Sequence, residues 1–121
     1  MLTLESFKAA RSVLQAVLRP TPLIHSPYLS KNCGNSVYLK PENMQATGAY
    51  KLRGAYYKIS TLSQEEKDRG LVTASAGNHA QGVAYAAQAA GVAATIVMPT
   101  FTRGVVVGMT MVASTPAAWA A

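Results

Sequence analysis

The segment from residue 71 to residue 98 constrains the fold more than any other part of the chain. Its first residues, Leu-Val-Thr-Ala, favour a buried strand, and a Ser-Ala-Gly-Asn turn leads into a helix of small residues that ends at Gly91. A second strand is predicted over 94–98, before Pro99. A strand, a helix and a strand in this order form a βαβ unit, which implies parallel strands and a right-handed crossover. The sequence therefore predicts an α/β chain.

The turn between the first strand and the helix has the composition of an anion-binding site. In open α/β sheets, ligands bind outside the carboxyl ends of the strands, and a helix N-terminus there offers free amides and a favourable dipole. Gly77 allows a close backbone approach, while Ser75 and Asn78 add side-chain donors. The turn lacks both GxGxxG spacing and a P-loop lysine, so a carboxylate fits better than a nucleotide. An ordinary N-capped helix is the alternative, and we interpret His79 as a structural donor rather than an acid or base.

Lys51 is the second residue with unusual chemical possibilities. It lies between Tyr50 and Leu52, follows the flexible pair Gly48 and Ala49, and opens a segment of helical periodicity. Desolvation and the positive end of a helix dipole both disfavour an ammonium group. A neutral amine is a nucleophile that forms Schiff bases with carbonyl compounds, above all pyridoxal 5'-phosphate (PLP). From these residues alone, a solvated lysine at a helix start is the simpler interpretation.

The remaining elements follow from periodicity and turn chemistry. They are a helix over 3–18, an extended loop to residue 30, a strand over 36–40, a helix over 52–62 and a short helix before Gly70. Thr3 is expected to cap the first helix, and Ser63 with Glu66 forms a capping box for the last. Arg53 is expected to face solvent.

Composition and charge argue against several classes of protein. The chain has 121 residues, of which half are hydrophobic and 13% charged, so it is expected to be globular and to hold one domain at most. Its net charge of +6 is spread singly along the chain, so we expect no nucleic acid; a small anionic ligand or solubility alone explains the positive excess equally well. Cys33 is the only cysteine, and no metal site is predicted. The N-terminus lacks the layout of a signal peptide, which makes a cytoplasmic location the default expectation.

Three longer motifs resemble a known family. They are Leu-Lys-Pro-Glu-Asn-Met-Gln at 39–45, Thr-Gly-Ala-Tyr-Lys-Leu-Arg-Gly-Ala at 47–55 and Thr-Ala-Ser-Ala-Gly-Asn-His-Ala-Gln-Gly-Val-Ala at 73–84. From about residue 4 to residue 100, the chain resembles the threonine ammonia-lyase (threonine dehydratase) family of fold-type II PLP enzymes, in the tryptophan synthase beta-like superfamily. The resemblance implies a three-layer, parallel-sheet α/β fold, with the small domain at about 36–100 largely present and the large domain incomplete.

The resemblance also implies roles for individual residues. Lys51 matches the family's Schiff-base lysine, which also accepts the Cα proton, and Tyr50 matches the aromatic residue before it. Asn78 matches the asparagine that hydrogen-bonds the phenolic oxygen of PLP. The loop that holds the substrate carboxylate corresponds to Ser75, Ala76, Gly77, Asn78 and His79. The implied lyase activity converts L-threonine to 2-oxobutanoate and ammonia, a step of amino-acid metabolism that leads to isoleucine, and L-serine to pyruvate. Full-length members are expected to be homo-oligomers.

Two departures from the family pattern carry consequences. Ala49 stands where the family normally has serine, so we expect weaker cofactor positioning. Residues 101–121 form a divergent tail in which Arg103 is the only charge, and we interpret it as the product of a frameshift or a truncated reading frame. Polar residues and a proline at 114–116 interrupt its apolar run, so no membrane span is predicted. The family's glycine-rich phosphate loop has no counterpart here, so we expect the chain alone to be inactive or nearly so and to bind PLP weakly.

Alternatives remain open at this level. A serine racemase or serine dehydratase would share the same motifs. A non-catalytic fragment that binds carboxylates through residues 75–79 would share the loop but show no chemistry at Lys51. In each case the first helix is expected to expose apolar surface, which favours aggregation.

Overall fold

The structure is a computed structural model that describes residues 1–99 and the backbone of residues 110–114. Its helices and strands alternate along most of the chain. In chain order they are α1 (Leu4–Leu14), β1 (Ile24–His25), α2 (Pro27–Cys33), β2 (Tyr38–Leu39), a 3₁₀ turn (Glu42–Met44), α3 (Lys51–Ser60), α4 (Gln64–Asp68), β3 (Leu71–Ala74), α5 (Asn78–Ala90), β4 (Ala94–Pro99) and β5 (Thr110–Ser114).

The predicted strand, helix and strand of residues 71–98 are confirmed. β3 and β4 pair in parallel, with Leu71 opposite Ala94 and Ala74 opposite Val97, and α5 connects them. α5 ends before Gly91, whose φ of +66° is the left-handed conformation that glycine adopts at a helix C-cap. The described strands β3, β4 and β5 form one parallel sheet in that order. The α/β class predicted from the sequence is therefore confirmed.

The sequence does not predict β5, which lies in the segment interpreted as a divergent tail. The strand pairs in parallel with β4, from Thr95 opposite Thr110 to Pro99 opposite Ser114. Pairing here satisfies the backbone donors and acceptors along the second edge of β4. The surrounding residues form an uncharged run without strict alternation, so periodicity gives no clear strand signal. The origin of residues 101–121 stays a prediction.

The core lies between α3, α5 and the sheet. One buried cluster joins the two helices, and a second joins α5 to β4. The first contains Ala55, Ile59, Val83, Ala86 and Ala87, and the second contains Ala80, Ala84, Ile96 and Met98. Alanine side chains on α5 keep this helix close to both partners. The largest fully buried side chains described are Leu52 and Ile96, and each contributes about 2 kcal/mol by burial.

Only one face of β3 is covered within the described residues. Leu71 packs against the cluster between α3 and α5, whereas Val72 on the other face is 79% exposed. The prediction of a buried strand is therefore wrong for this second face. Parallel sheets normally carry helices on both faces, and α5 covers only one here.

The N-terminal region differs from its prediction in two places. α1 begins after Thr3, whose side chain accepts a hydrogen bond from the backbone of Ser6 as expected for an N-cap. The helix ends at Leu14 rather than residue 18, because the chain turns there and the amides of Val17 and Leu18 both donate to the Leu14 carbonyl. The exposed side chains of α1 include Leu4 and Phe7, so the predicted apolar surface of the first helix is confirmed.

The loop predicted to reach residue 30 instead contains β1 and α2. Ser26 caps α2 by accepting from the Leu29 amide, Pro27 occupies the first turn, and Gly34 ends the helix at a φ of +66°. The extended-loop prediction is therefore wrong, although Ser-Pro followed by a glycine carries a helix signal. The predicted strand over 36–40 is reduced to β2, which pairs antiparallel with β1.

The elements around α3 and α4 agree with the sequence. α3 begins at Lys51, and the Ser63 and Glu66 capping box is present at α4. Gly70 follows α4 at a φ of +77°, the left-handed conformation that glycine adopts after a helix. In the part of the chain that the structure describes, no helix is both long enough and apolar enough to cross a membrane.

Candidate active site

Lys51 is the first residue of α3, and its side chain is exposed among the described residues. Its Nζ atom lies 5.3 Å from the centroid of the Tyr50 ring, within cation–π range. Leu52 turns inward and is 0% exposed, while Tyr50 is exposed. In the described part of the chain, Lys51 is therefore the solvent-exposed helix-start lysine of the simpler interpretation, because Leu52 and not Lys51 turns toward the core.

The chain reaches Lys51 through a tight turn. The Gly48 amide donates to the Gln45 carbonyl at 2.8 Å, and Gly48 has a φ of +68°, a conformation that other residues adopt only with strain. Ala49 follows it and is buried. The turn thus fixes the direction in which the backbone enters α3.

Arg53, in the first turn of α3, forms a bidentate ion pair with Glu42 in the preceding 3₁₀ turn. Arg53 Nε donates to Glu42 Oε2 at 2.7 Å, and Arg53 Nη2 donates to Oε1 at 2.8 Å. This guanidinium, with a hydrogen bond from the Thr21 hydroxyl, lowers the pKa of Glu42 to about 2. The prediction that Arg53 simply faces solvent is wrong, because its side chain is only 38% exposed and its charge is paired.

Gln45 joins the loop that contains Glu42 to the segment of residues 19–22 that follows α1. Its side chain is nearly fully buried, accepts from the Arg19 amide at 3.1 Å and donates to the Arg19 carbonyl at 3.0 Å. Lys40 Nζ donates to the Thr21 carbonyl at 2.5 Å. We call Arg19, Thr21, Lys40, Glu42, Gln45 and Arg53 the polar network. The sequence does not predict this network, since its hydrogen-bonded partners are up to 26 residues apart and follow no period.

Residues 75–79 follow the carboxyl end of β3, as expected. The Ser75 amide donates to the Val97 carbonyl at 3.0 Å, which ties the loop to β4. The Ser75 hydroxyl oxygen accepts from the amides of Gly77 at 3.4 Å and Ala80 at 3.2 Å. Ser75 therefore caps α5 from three residues before the helix begins, so its role in the loop includes local structure.

Three backbone amides of this loop make no hydrogen bond within the described residues. Within residues 1–99, the N–H groups of Ala76, Asn78 and His79 have no hydrogen-bond acceptor, and all three residues are exposed. They lie at the positive end of the α5 dipole, which is favourable for an anion. The side chains of Asn78 and His79 also make no hydrogen bond to described residues, so the structural bond expected of His79 is absent there.

The lysine and the loop are brought together by the packing of α3 on α5. A Cβ atom added to Gly82 would lie 3.2 Å from the Lys51 carbonyl group and from the Leu52 amide nitrogen. Gly82 is four residues, or about one helical turn, after Asn78. The Lys51 backbone therefore lies near the N-terminal end of α5, into which the loop of residues 75–79 leads.

A groove of about 940 Å³ lies between α1 and α3, apart from the lysine and the loop. Its lining includes Phe7, Leu14 and Tyr57 together with the Glu42 and Arg53 pair. Neither Lys51 nor any residue of the 75–79 loop lines it. The groove is therefore not the candidate site.

The family model described as "Pyridoxal-phosphate dependent enzyme" matches residues 14–112, most of the chain. This chain belongs to that family. The match extends beyond residue 100 and overlaps β5.

Relatives and solved structures narrow the family further. The chain is 56% identical over 101 residues to the L-threonine ammonia-lyase of Thermotoga maritima, a match that covers 84% of this chain and 25% of that protein. It is similar to threonine deaminase isoform 2 from Solanum lycopersicum in its processed form, with a TM-score of 0.76 and 39% identity over 95% of this chain and 34% of that one. It is also similar to a serine racemase from Dictyostelium discoideum, with a TM-score of 0.87 and 32% identity over 97% of this chain and 40% of that one.

These likenesses confirm the threonine ammonia-lyase resemblance and the fold of fold-type II PLP enzymes. The chain spans about a quarter of the length of the Thermotoga maritima relative. Its two described layers, the sheet and the helices on one face, are consistent with an incomplete PLP-enzyme domain.

Proposed function

We propose that this chain carries the lysine and the carboxylate-binding loop of a PLP-dependent threonine ammonia-lyase. The reaction would convert L-threonine to 2-oxobutanoate and ammonia, and L-serine to pyruvate. The observation that carries the proposal is the packing of the first turn of α3 on α5 in a member of this PLP-dependent family. The first turn of α3 carries an exposed primary amine, and α5 begins with amides that have no acceptor within residues 1–99. A small amino acid offers a group to each of these features. Its carboxylate would be bound by the amides, and its Cα proton would be accepted by the amine.

The residues present suit PLP at its reactive end. Lys51 offers the primary amine that would hold the cofactor covalently, and the exposed Asn78 carboxamide would donate to its phenolic oxygen. When bound, PLP withdraws electrons from the amino acid and so stabilises negative charge at Cα. Lys51 Nζ, in its neutral form, would accept the Cα proton of the substrate.

The free amides of Ala76, Asn78 and His79 would bind the substrate carboxylate. Three N–H donors at a helix N-terminus stabilise an anion without placing a fixed cation beside Lys51. Ser75 contributes by holding Gly77 and Ala80 in place. Its own hydroxyl proton has no acceptor among the described residues and would be available to a ligand.

The activity of this chain on its own is a separate expectation. We expect residues 1–121 alone to bind PLP weakly and to show little or no threonine deamination. For the whole protein we expect a cytoplasmic location and a homo-oligomer. Threonine deamination by the pure chain that disappears in Lys51→Ala would contradict the expectation of inactivity.

Serine racemase or serine dehydratase is the second candidate, because the Dictyostelium discoideum serine racemase has the higher TM-score of the two structures compared. The higher sequence identity to the Thermotoga maritima ammonia-lyase favours the first. A non-catalytic fragment that binds carboxylates is a third.

The decisive experiment is PLP labelling of the purified chain, followed by borohydride reduction and mass spectrometry of the labelled lysines. We expect label at Lys51 in preference to Lys40 and Lys58. Lys58→Ala is the matched control, since Lys58 is an exposed lysine on the same helix, and it should leave the Lys51 label unchanged. Label spread evenly over the lysines, or none, would favour the carboxylate-binding fragment and count against the proposal.

A further inference from the structure

Gly82 is the one described glycine at which an added Cβ atom would contact the backbone of Lys51. A Cβ atom built there would lie 3.2 Å from the Lys51 carbonyl carbon and oxygen and from the Leu52 amide nitrogen. Carbon atoms in favourable contact are about 3.5–4.0 Å apart, so a methyl group would press directly on the α3 backbone. Gly54 in α3 is different, because a Cβ there meets nothing within 4 Å.

The α3 backbone has little freedom to move away from Gly82. Leu52 is fully buried, and Ala55 and Ile59 hold the following turns in the cluster with α5. The Glu42 and Arg53 ion pair ties the same first turn to the preceding loop. Backbone held on several sides responds to an added atom by shifting as a unit or by distorting the first turn.

We propose that Gly82 is a positioning residue for Lys51. By lacking a side chain, it lets the first turn of α3 approach α5 closely, about one helical turn from the loop of residues 75–79. The separation between the lysine backbone and the free amides is then set by a backbone contact rather than by side-chain packing. The inference rests on the proposed function of Lys51, but the contact itself can be tested without any cofactor.

The test compares Gly82→Ala with two matched variants of the full chain. Gly54→Ala makes the same change in a helix interior with open space around it. Val83→Ala removes two methyl groups from a buried neighbour, which lowers stability without adding an atom against Lys51. For each variant, the thermal midpoint and the ratio of PLP label at Lys51 to label at Lys58 are measured below the midpoint.

We expect Gly82→Ala to lower the Lys51 to Lys58 ratio by on the order of tenfold, since displacements of about 1 Å have effects of this size or larger. Gly54→Ala should keep the ratio and raise the midpoint. Val83→Ala should lower the midpoint and keep the ratio. A folded Gly82→Ala chain with the parental ratio would overturn the proposal. So would a Val83→Ala chain whose label ratio falls together with its thermal midpoint, because the ratio would then report stability alone.

Amide hydrogen exchange provides the arm that needs no PLP. In an α-helix the Ala55 N–H bonds the Lys51 carbonyl, the group that the added methyl would press. We expect exchange at Ala55 to accelerate in Gly82→Ala and not in Val83→Ala, beyond any change in global stability. If the parental chain shows no preferential label, the proposed function fails while this measurement still decides the contact.

Failure to fold is also informative. Trimethylamine N-oxide favours compact states and is added to any variant that is unfolded in buffer. A Gly82→Ala chain that regains the fold is tested as above. One that remains unfolded shows that Gly82 is required for folding as a whole, which would overturn a specific positioning role.

Discussion

Two polar regions of this molecule use their hydrogen-bonding groups in opposite ways. In the polar network, the Gln45 side chain is 3% exposed and bonds both backbone groups of Arg19, while Glu42 bonds Thr21 and Arg53. In the loop of residues 75–79, three amides have no acceptor within residues 1–99. Saturated donors and acceptors stabilise the fold, whereas donors left open at a helix start are available to a ligand. Polar residues in the first region should therefore affect stability, and those in the second should affect binding.

The largest effect is expected from Gln45→Ala. The change leaves the Arg19 amide and carbonyl without their partner and opens a cavity, so the free energy of unfolding should fall by about 2–3 kcal/mol. Urea denaturation measures this change. Gln88→Ala is the control, because it makes the same truncation at an exposed position of α5 and should stay within about 0.5 kcal/mol. Equal effects of the two variants would mean that the network adds nothing to stability.

A smaller and pH-dependent effect is expected from Glu42→Gln. The pKa of Glu42 falls from 4.5 to about 2 on folding, chiefly through its hydrogen bond with Arg53. The stabilisation is therefore complete above about pH 4.5 and is lost as the pH falls toward 2. Because Arg53 is 38% exposed, solvent screening reduces it to about 1–2 kcal/mol.

Denaturation of the parental chain and of Glu42→Gln across this pH range measures the effect. The variant should lose about 1–2 kcal/mol at pH 7 and converge with the parental chain near pH 2. Glu5→Gln is a control, since Glu5 pairs with Lys8 in solvent and its loss should matter little. A constant difference at every pH would show that Glu42 acts through packing and not through its charge.

The smallest stability effects are expected in the loop, where two variants separate capping from binding. Ser75→Ala removes the acceptor of the Gly77 and Ala80 amides and should cost about 1 kcal/mol. Asn78→Ala removes an exposed side chain with no bond to described residues and should change stability by less than about 0.5 kcal/mol. It should nevertheless reduce PLP label at Lys51. Unchanged labelling in Asn78→Ala would contradict the contact proposed between Asn78 and the cofactor.

Local features of the fold could be predicted from the sequence, and long-range ones could not. The caps at Thr3 and Ser63 and the strand and turn at 71–78 are encoded within a few residues. Ser26 and Pro27 favour the start of α2, but the nearby prolines favour an extended loop, so the helix was not predicted. β5 forms by pairing with the second edge of β4, and an apolar run in the sequence does not show which strand it will pair with.

The candidate site divides in the same way. The turn of residues 75–79 is formed by neighbours in sequence, so its position after β3 was predictable. The bond between Gln45 and Arg19 spans 26 residues, and the approach of Gly82 to Lys51 joins two separate helices. Neither contact produces a periodic pattern in the sequence from which it could be predicted. The exposure of Lys51 also depends on which of its neighbours turns inward, and the three letters Tyr-Lys-Leu do not specify this.

The amides of Ala76, Asn78 and His79, which have no acceptor within residues 1–99, lie at the start of α5, the helix that packs on α3 and on β4. An anion bound there would be held only while α5 is folded, so its binding and the folding of the chain form a single linked equilibrium. At a ligand concentration 100 times the dissociation constant, the linkage is worth about 2.7 kcal/mol. A carboxylate ligand would thus raise the melting temperature of the whole chain, and its measured affinity would include the free energy of ordering the helix that holds it.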